Sequence, residues 1–413
     1  MDALEALAPL HRICQLCNLW PWRLNESTRQ LQRCRWLELY GWLVLLGSSV
    51  FLAYGLFNAD HLMREDSSVT GNIGHTVDYI QLVGIRVAHV MALLEALWQR
   101  RAQSSFFTQL QELDREFARL LHIEVNNEQL RRRMTQRAAW MLAGYVLSQG
   151  FILITKMLGT DHTFPMYWLA YLLPLLVCGV RYFQIFTAVL LVRQRLDLLL
   201  RLLQSLQLNE TLPGGEHSCD CKYIVQQLDR DALAAQQRSL QRLMAARQLY
   251  QRLWLLVSLL NRCFGLSMLM NLGNDFLAIT SNCYWIFLNF RQFAASPQDF
   301  LQIIGSAVWS TPHVGNVLAL ALICERAAYC TTRLALSLHH IRVNLQNESQ
   351  NALITQFSLQ LLHQRLNFSA AGFFNVDCTL IYTIVGATTT YLIILIQFHM
   401  SESSFSSGLT GAH

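Results

Sequence analysis

The segment TYLIILIQF, Thr390 to Phe398, places five consecutive aliphatic residues between a Thr-Tyr pair and a Gln-Phe pair. Such a run suits the hydrocarbon of a membrane, where a helix satisfies its own backbone hydrogen bonds. The amide of Gln397 is costly to bury there unless it faces water or a hydrogen-bonding partner. The segment therefore predicts a membrane-spanning helix with one polar position that needs an explanation.

The rest of the chain is also apolar enough for a membrane protein. Of its 413 residues, 53% are hydrophobic and 14% are charged, whereas a soluble domain carries about 25% charged residues. Apolar runs near the length of a bilayer predict seven spans: 40–57, 77–98, 138–155, 166–192, 253–290, 300–324 and 373–398. The predicted fold class is an all-α membrane protein with seven transmembrane helices.

Lysine and arginine predict the orientation of these spans. The segments 1–39, 99–137, 193–252 and 325–372 carry 26 of them, while the alternate loops carry three and the tail 399–413 carries none. Because positive residues stay in the cytosol, we expect a cytosolic N-terminus and an extracellular C-terminus. Leucine periodicity in the cytosolic segments predicts that the helices continue into one compact helical layer, with a flexible turn at Thr211–Ser218.

Several function classes have no support in the sequence. There is no phosphate-binding glycine loop, zinc-protease helix or nucleophile elbow, so we expect no enzyme and no cofactor. The eleven cysteines fall in cytosolic segments or in and beside apolar runs, which argues against a disulfide scaffold. CQLC at Cys14–Cys17 and HSCDC at His217–Cys221 lack the second half of a zinc site, so no metal is predicted.

The closing block GFFNVDCTLIYTIVGATTTYLIILIQF, Gly372–Phe398, resembles that of the insect gustatory receptors, which are related to the insect odorant receptors. The resemblance implies a tastant-gated, non-selective cation channel in the plasma membrane of gustatory receptor neurons. It implies a homo- or heterotetramer with other gustatory receptor subunits, surrounded by membrane lipid, with no nucleic-acid partner. It also implies a pore lined by the seventh span, a cytosolic anchor domain, and a pocket for a small-molecule tastant in the outer half of each subunit.

The helical repeat agrees with a pore along the last span. Gln397 shares a helix face with Ile394, Ile393 and Thr390, whereas Tyr391 and Phe398 lie on other faces suited to packing. The alternative is that Gln397 forms a hydrogen bond within one subunit and that the small residues of this span only allow close helix packing.

Aromatic and polar residues near the outer ends of the spans are candidates for ligand binding. They are Asp78, Tyr167, Trp168, Tyr171, Asp275, Tyr284, Trp285 and Trp309. The alternative for each is the aromatic belt of the membrane interface. A further charge, Arg86, lies in mid-membrane, where we expect an ion pair with Asp275 or Glu95.

Two other functions remain open from the sequence. Arg86 and the span prolines could belong to a transporter with broken helices, although seven spans do not divide into inverted halves. A receptor coupled to G proteins would have its N-terminus outside, against the charge distribution. Within the gustatory receptors, the apolar Leu392 after Tyr391 favours the bitter or broadly tuned branches over the sugar-sensing branch.

Overall fold

The computed structural model describes residues 3–25, 30–57, 72–125, 127–157, 164–211, 222–292, 297–341 and 348–410. The helices are α1 (Ala3–Ala6), α2 (Ala8–Leu16), α3 (Arg35–Phe57), α4 (Asn72–Trp98), α5 (Arg100–Leu121), α6 (Asn127–Met157), α7 (Phe164–Thr211), α8 (Lys222–Gln292), α9 (Pro297–His339), α10 (Glu348–His363) and α11 (Thr379–Thr410). Two short antiparallel hairpins complete the fold: β1 (Trp22–Asn25) with β2 (Gln30–Arg33), and β3 (Ser369–Ala370) with β4 (Phe374–Asn375).

The seven predicted spans are confirmed. Helices α3, α4, α6, α7, α8, α9 and α11 each contain a segment long and apolar enough to cross a membrane. Their burial differs greatly: 78% of the fourth span is buried, against 17%, 11% and 11% of the first, third and seventh. The fourth span is therefore central, while the other three present apolar faces to lipid or to another chain.

Several helices extend well beyond the bilayer. Helix α8 has 71 residues and is on the order of 100 Å long, several times the hydrocarbon thickness of a membrane. The continuation of helices past the apolar runs was predicted. The structure confirms this continuation.

The last span differs from the predicted bounds of 373–398. Residues 369–375 form the hairpin β3–β4, and α11 begins at Thr379. The carboxylate of Asp377 accepts hydrogen bonds from the backbone N–H of Thr379 at 2.9 Å and from its hydroxyl at 2.5 Å, which caps the helix. At the other end, α11 continues past Phe398 to Thr410, where a short tail was expected.

One hydrophobic core joins the helices on the predicted cytosolic side, as expected for a compact layer. Phe106 of α5, Leu196 of α7, Leu249 of α8 and Phe357 of α10 are all buried in it. The N-terminal segment also contributes, with Trp20 stacked on Phe107 at 4.4 Å between ring centroids, which the sequence did not predict. Beyond Thr211, the predicted flexible turn at 211–218 lies outside the described residues. We call this core and its helices the helical layer.

The hairpin before α11 packs directly on α8. A Cβ added to Gly265 would lie 2.9 Å from the backbone nitrogen of Ala371 and 3.1 Å from its Cα. The Asn261 side chain also donates to the carbonyl oxygen of Asn367 at 2.8 Å and accepts from the N–H of Ser369 at 3.2 Å. The entry to the last span is thus fixed to the fifth.

Gly265→Ala should weaken this contact, because neither backbone can move without displacing the hairpin. We expect a loss of about 1–3 kcal/mol of stability, measured as a lower melting midpoint of the detergent-solubilised protein. Gly273→Ala is the matched control, since a Cβ there meets nothing within 4 Å and the substitution favours the helix. Equal midpoints for the two variants would contradict the tight docking.

Candidate functional site

A buried ion pair joins the second, fourth and fifth spans. Arg181 Nη2 of α7 donates to Glu95 Oε2 of α4 at 2.8 Å, and the two side chains are 0% and 3% exposed. Glu95 also accepts from the backbone N–H of Leu266 and from the N–H and hydroxyl of Ser267. Every charged oxygen therefore has a donor, which makes a pair at this depth tolerable.

We expected Arg86 to form an ion pair with Asp275 or Glu95, and the structure corrects this expectation because both carboxylates have other partners. Glu95 is held by Arg181, and Asp275 bonds to His313 and Tyr182. The Arg86 guanidinium instead lies over the ring of Phe51, 4.4 Å from its centroid. It packs so closely on α3 that a Cβ at Gly55 would lie 2.1 Å from its Nη1.

Nearby, Asp275 of α8 is the centre of a second buried network. Its Oδ2 accepts from the Tyr182 hydroxyl at 2.5 Å, and its Oδ1 lies 2.7 Å from His313 Nδ1. His313 Nε2 is 3.4 Å from the Tyr171 hydroxyl, which lies 3.5 Å from the Gln81 amide. These five side chains from four spans are called the Asp275 cluster. They are each at most 5% exposed.

The structure places the candidate ligand residues in two groups. Tyr171 and Asp275 belong to the Asp275 cluster, where the Trp309 ring packs on Tyr171 at 4.8 Å. Tyr171 and Trp309 belong to a small apolar cluster, and Trp168 packs against it. The Trp168 indole N–H donates to the Gln149 amide oxygen at 3.1 Å. The side chain of Tyr167 lies outside the described residues.

The second group joins Asp78 of α4 to aromatic residues of α8. Trp285 Nε1 donates to Asp78 at 2.7 Å, and the Trp285 ring is 6.0 Å from that of Tyr284. The Tyr284 hydroxyl lies 3.3 Å from His399 Nδ1 of α11. This group therefore connects the fifth span to the end of the seventh.

Sequence reasoning missed three members of the Asp275 cluster: His313, Tyr182 and Gln81. A histidine inside an apolar span is a signal that could have pointed to His313, because ionisable groups in mid-membrane are usually functional or paired. Tyr182 and Gln81 gave no such signal, since tyrosine and glutamine occur in spans for packing and for hydrogen bonding to neighbouring helices.

Unsatisfied polar atoms lie beside the Asp275 cluster. Among the described residues, both side-chain polar atoms of Asn271 and the Oδ1 of Asn274 are buried without a protein hydrogen-bond partner. Asn271 is one helical turn from Asp275, and Asn274 precedes it. Buried amides normally have partners, so water or polar ligand atoms would be stabilised at this face of α8.

The last span contacts its own subunit along one face. Leu380 and Thr388 are buried, and the Thr388 hydroxyl lies 3.5 Å from that of Thr280 in α8. The Tyr391 ring meets the edge of Phe276 at 5.8 Å between centroids. Tyr391 therefore contacts α8 with part of its ring and is otherwise 54% exposed, and Phe398 is 61% exposed.

The predicted pore stripe lies on the opposite face of the same helix. Thr390, Ile393, Ile394 and Gln397 are all exposed in the single chain. Because residues on a helix are about 100° apart, these four lie roughly opposite Thr388. Within the described subunit the stripe is partly accessible, with Ile393 52% and Ile394 39% exposed.

Comparison with known proteins shows the family. The model of the "7tm Chemosensory receptor" family matches residues 7–402. Gustatory receptor 2a of Drosophila melanogaster is 57% identical over the full length of both chains. The chain belongs to the insect gustatory receptor family.

Two other similarities of this gustatory receptor extend the comparison. The gustatory receptor for bitter taste 66a of Drosophila melanogaster is 27% identical over 34% of this chain and 27% of its own length. The olfactory receptor OR5 of Machilis hrabei, solved in complex with eugenol, has the same fold, with a TM-score of 0.63 over 95% of this chain and 98% of its own, at 12% identity. The gustatory receptor is therefore a multi-pass membrane protein with the seven-helix fold of that olfactory receptor.

Glu95→Gln should destabilise the gustatory receptor strongly, because Arg181 would keep its charge in a buried site without a counter-charge. We expect a loss of about 3–5 kcal/mol, as for other broken buried pairs, seen as a large fall in melting midpoint and surface expression. Glu116→Gln is the control: its pair with Arg252 has side chains 29% and 50% exposed, and such pairs contribute about 0–1 kcal/mol. Similar losses in both variants would contradict this role of Glu95.

Proposed function

We propose that this gustatory receptor is a tastant-gated, non-selective cation channel whose pore is lined by α11. The observation that carries the proposal is the division of α11 into two faces. One packs on α8 through Thr388 and Tyr391, and the other exposes Thr390, Ile393, Ile394 and Gln397. A homo- or heterotetramer with other gustatory receptor subunits would place four such stripes around one axis.

The stripe has side chains suited to a gate and a weak filter. A ring of Ile394 side chains would exclude water and ions when narrow, because apolar constrictions dewet. A ring of Gln397 amides would offer uncharged oxygens, which favour cations and discriminate little among them. Tyr391 would transmit movement to this segment through its contact with Phe276.

The channel is proposed to lie in the plasma membrane of gustatory receptor neurons, with its N-terminus in the cytosol. The charge distribution supports it, since the helical layer is formed from the arginine-rich segments. An epitope at the N-terminus should bind antibody only after cells are permeabilised, and one at the C-terminus should bind it in intact cells.

The Asp275 cluster is the proposed tastant site. Aromatic rings, a carboxylate and unsatisfied amides lie together there among the spans, which suits a small organic molecule with one or two polar groups. The eugenol complex of the olfactory receptor supports the idea that this fold can hold such a molecule. Asp275 directly precedes Phe276, so a ligand there acts one residue from the contact with Tyr391.

This gustatory receptor is proposed to belong to the bitter or broadly tuned branch of the family, so its ligands would be bitter compounds rather than sugars. Leu392 is apolar at a position where the sugar-sensing branch is expected to be polar, and one relative of this chain is a receptor for bitter taste.

Pore variants test the channel assignment. Ile394→Ala should raise the current without ligand, because a wider collar stays hydrated, and Gln397→Ala should change relative permeabilities among cations. Both are measured in cells that express the variant at the surface. Thr389→Ala is the matched control, since Thr389 is exposed on α11 outside the stripe. If resting current and permeability ratios stay at parental values in both pore variants, α11 does not line the pore.

Tyr171→Phe tests the tastant site separately. It keeps the ring on Trp309 and removes the hydroxyl that lies near His313 and Gln81. For a bitter alkaloid or phenol that opens the parent channel, we expect about a tenfold higher half-maximal concentration, the effect of one lost hydrogen bond. Permeability ratios should not change. Trp140→Phe is the control, because Trp140 is 78% exposed on α6. Unchanged dose dependence in Tyr171→Phe would place the ligand elsewhere.

A further inference from the structure

A cleft of about 320 Å³ lies where the first two spans meet the helical layer. Trp42 of α3 and Trp98 at the end of α4 form exposed walls, with 52% and 76% of their surface accessible. Leu94 and Leu97 contribute the apolar floor. The cleft is therefore apolar along the predicted spans, and tryptophan is a residue that prefers the membrane–water interface.

The other end of the cleft is strongly basic. Arg100 and Arg101, the first residues of α5, line it. Arg100 lies 3.5 Å from Glu38 of α3, but that carboxylate already accepts two hydrogen bonds from Arg33, at 2.6 and 2.8 Å. In the described part of the chain, arginine charge at this end exceeds carboxylate charge, and the exposed Arg101 can turn toward an anion.

We propose that this cleft binds an anionic phospholipid of the cytosolic leaflet. The phosphate would bind Arg100 and Arg101, because guanidinium groups form paired hydrogen bonds with phosphate oxygens. An acyl chain would lie along Trp42 and Leu94. A free phosphate would satisfy only the basic end, whereas a lipid matches both ends of the lining. Basic sites between spans on the cytosolic side are well suited to acidic headgroups.

The cleft lies beside contacts that connect α3, α4 and α5 to the rest of the fold. The carbonyl oxygen of Arg100 accepts from Trp22 Nε1 at 3.0 Å, which ties the N-terminal hairpin to the same junction. Glu95 directly follows Leu94, which lines the cleft, and its carboxylate binds Arg181 and a backbone N–H of α8. A lipid bound between Trp42 and Arg100 would stabilise this junction of α3, α4 and α5, and hence the receptor as a whole.

Native mass spectrometry of the purified full-length receptor tests the proposal without ligand or current. The receptor is titrated with phosphatidylserine and with phosphatidylcholine of the same acyl chains. We expect phosphatidylserine adducts to form at lower concentration. Arg100→Gln/Arg101→Gln should weaken them by about fivefold for each arginine, since one near-surface charge contributes about 1 kcal/mol to an acidic-lipid contact. Arg101→Gln alone is the second variant, and it leaves the contact with Glu38 intact.

Arg132→Gln/Arg133→Gln is the matched control, because these are adjacent, exposed arginines of α6 on the same predicted side. A selective loss in the cleft variants supports the site. Equal loss in cleft and control variants, or no loss in Arg101→Gln, overturns it in favour of general charge attraction. Displacement of the lipid by millimolar inorganic phosphate would overturn it in favour of a simple anion site. None of these outcomes depends on whether the receptor conducts ions.

Discussion

The pair between Glu95 and Arg181 is the constraint on which the arrangement of the central spans depends. In a low-dielectric interior either charge alone costs several kcal/mol, so both must be met by partners at the same depth and rotation. Arg181 brings Ser267 and the Cys263 carbonyl of α8 into the same contact. Helices α4, α7 and α8 can therefore cross only where these groups meet.

The position of this contact also connects the membrane part to the helical layer. Gln184, one turn after Arg181, accepts from Arg181 at 3.0 Å and lies 3.5 Å from the carbonyl oxygen of Leu19 in the N-terminal segment. Within the layer, a second buried arginine, Arg195 of the same helix, binds both oxygens of Asp114 at 3.0 and 2.7 Å. Helix α7 is thus fixed at two depths by charges that tolerate little displacement.

Helix α8 connects the features proposed to matter for function. Gly265 holds the hairpin that precedes α11, Asp275 is the centre of the buried cluster, and Phe276 packs on Tyr391. Consecutive residues of a helix point about 100° apart, so Asp275 faces the bundle of spans while Phe276 faces α11. If a change at Asp275 rotated α8, the contact between Phe276 and Tyr391 would move and displace the last span.

The sequence alone determined the spans, the excess of positive charge in alternate loops, the family and the stripe of residues from Thr390 to Gln397 on one face of the last span. These are local properties: hydropathy sums over about twenty residues, and the stripe around Gln397 follows from the helical repeat. Only the tertiary structure decided which groups meet. Glu95 pairs with Arg181 rather than with Arg86, and His313 and Tyr182 contact Asp275. A hairpin that packs on Gly265 stands where the last helix was predicted to begin. The physical reason is that pairing depends on the relative depth and rotation of separate helices, which no single segment encodes.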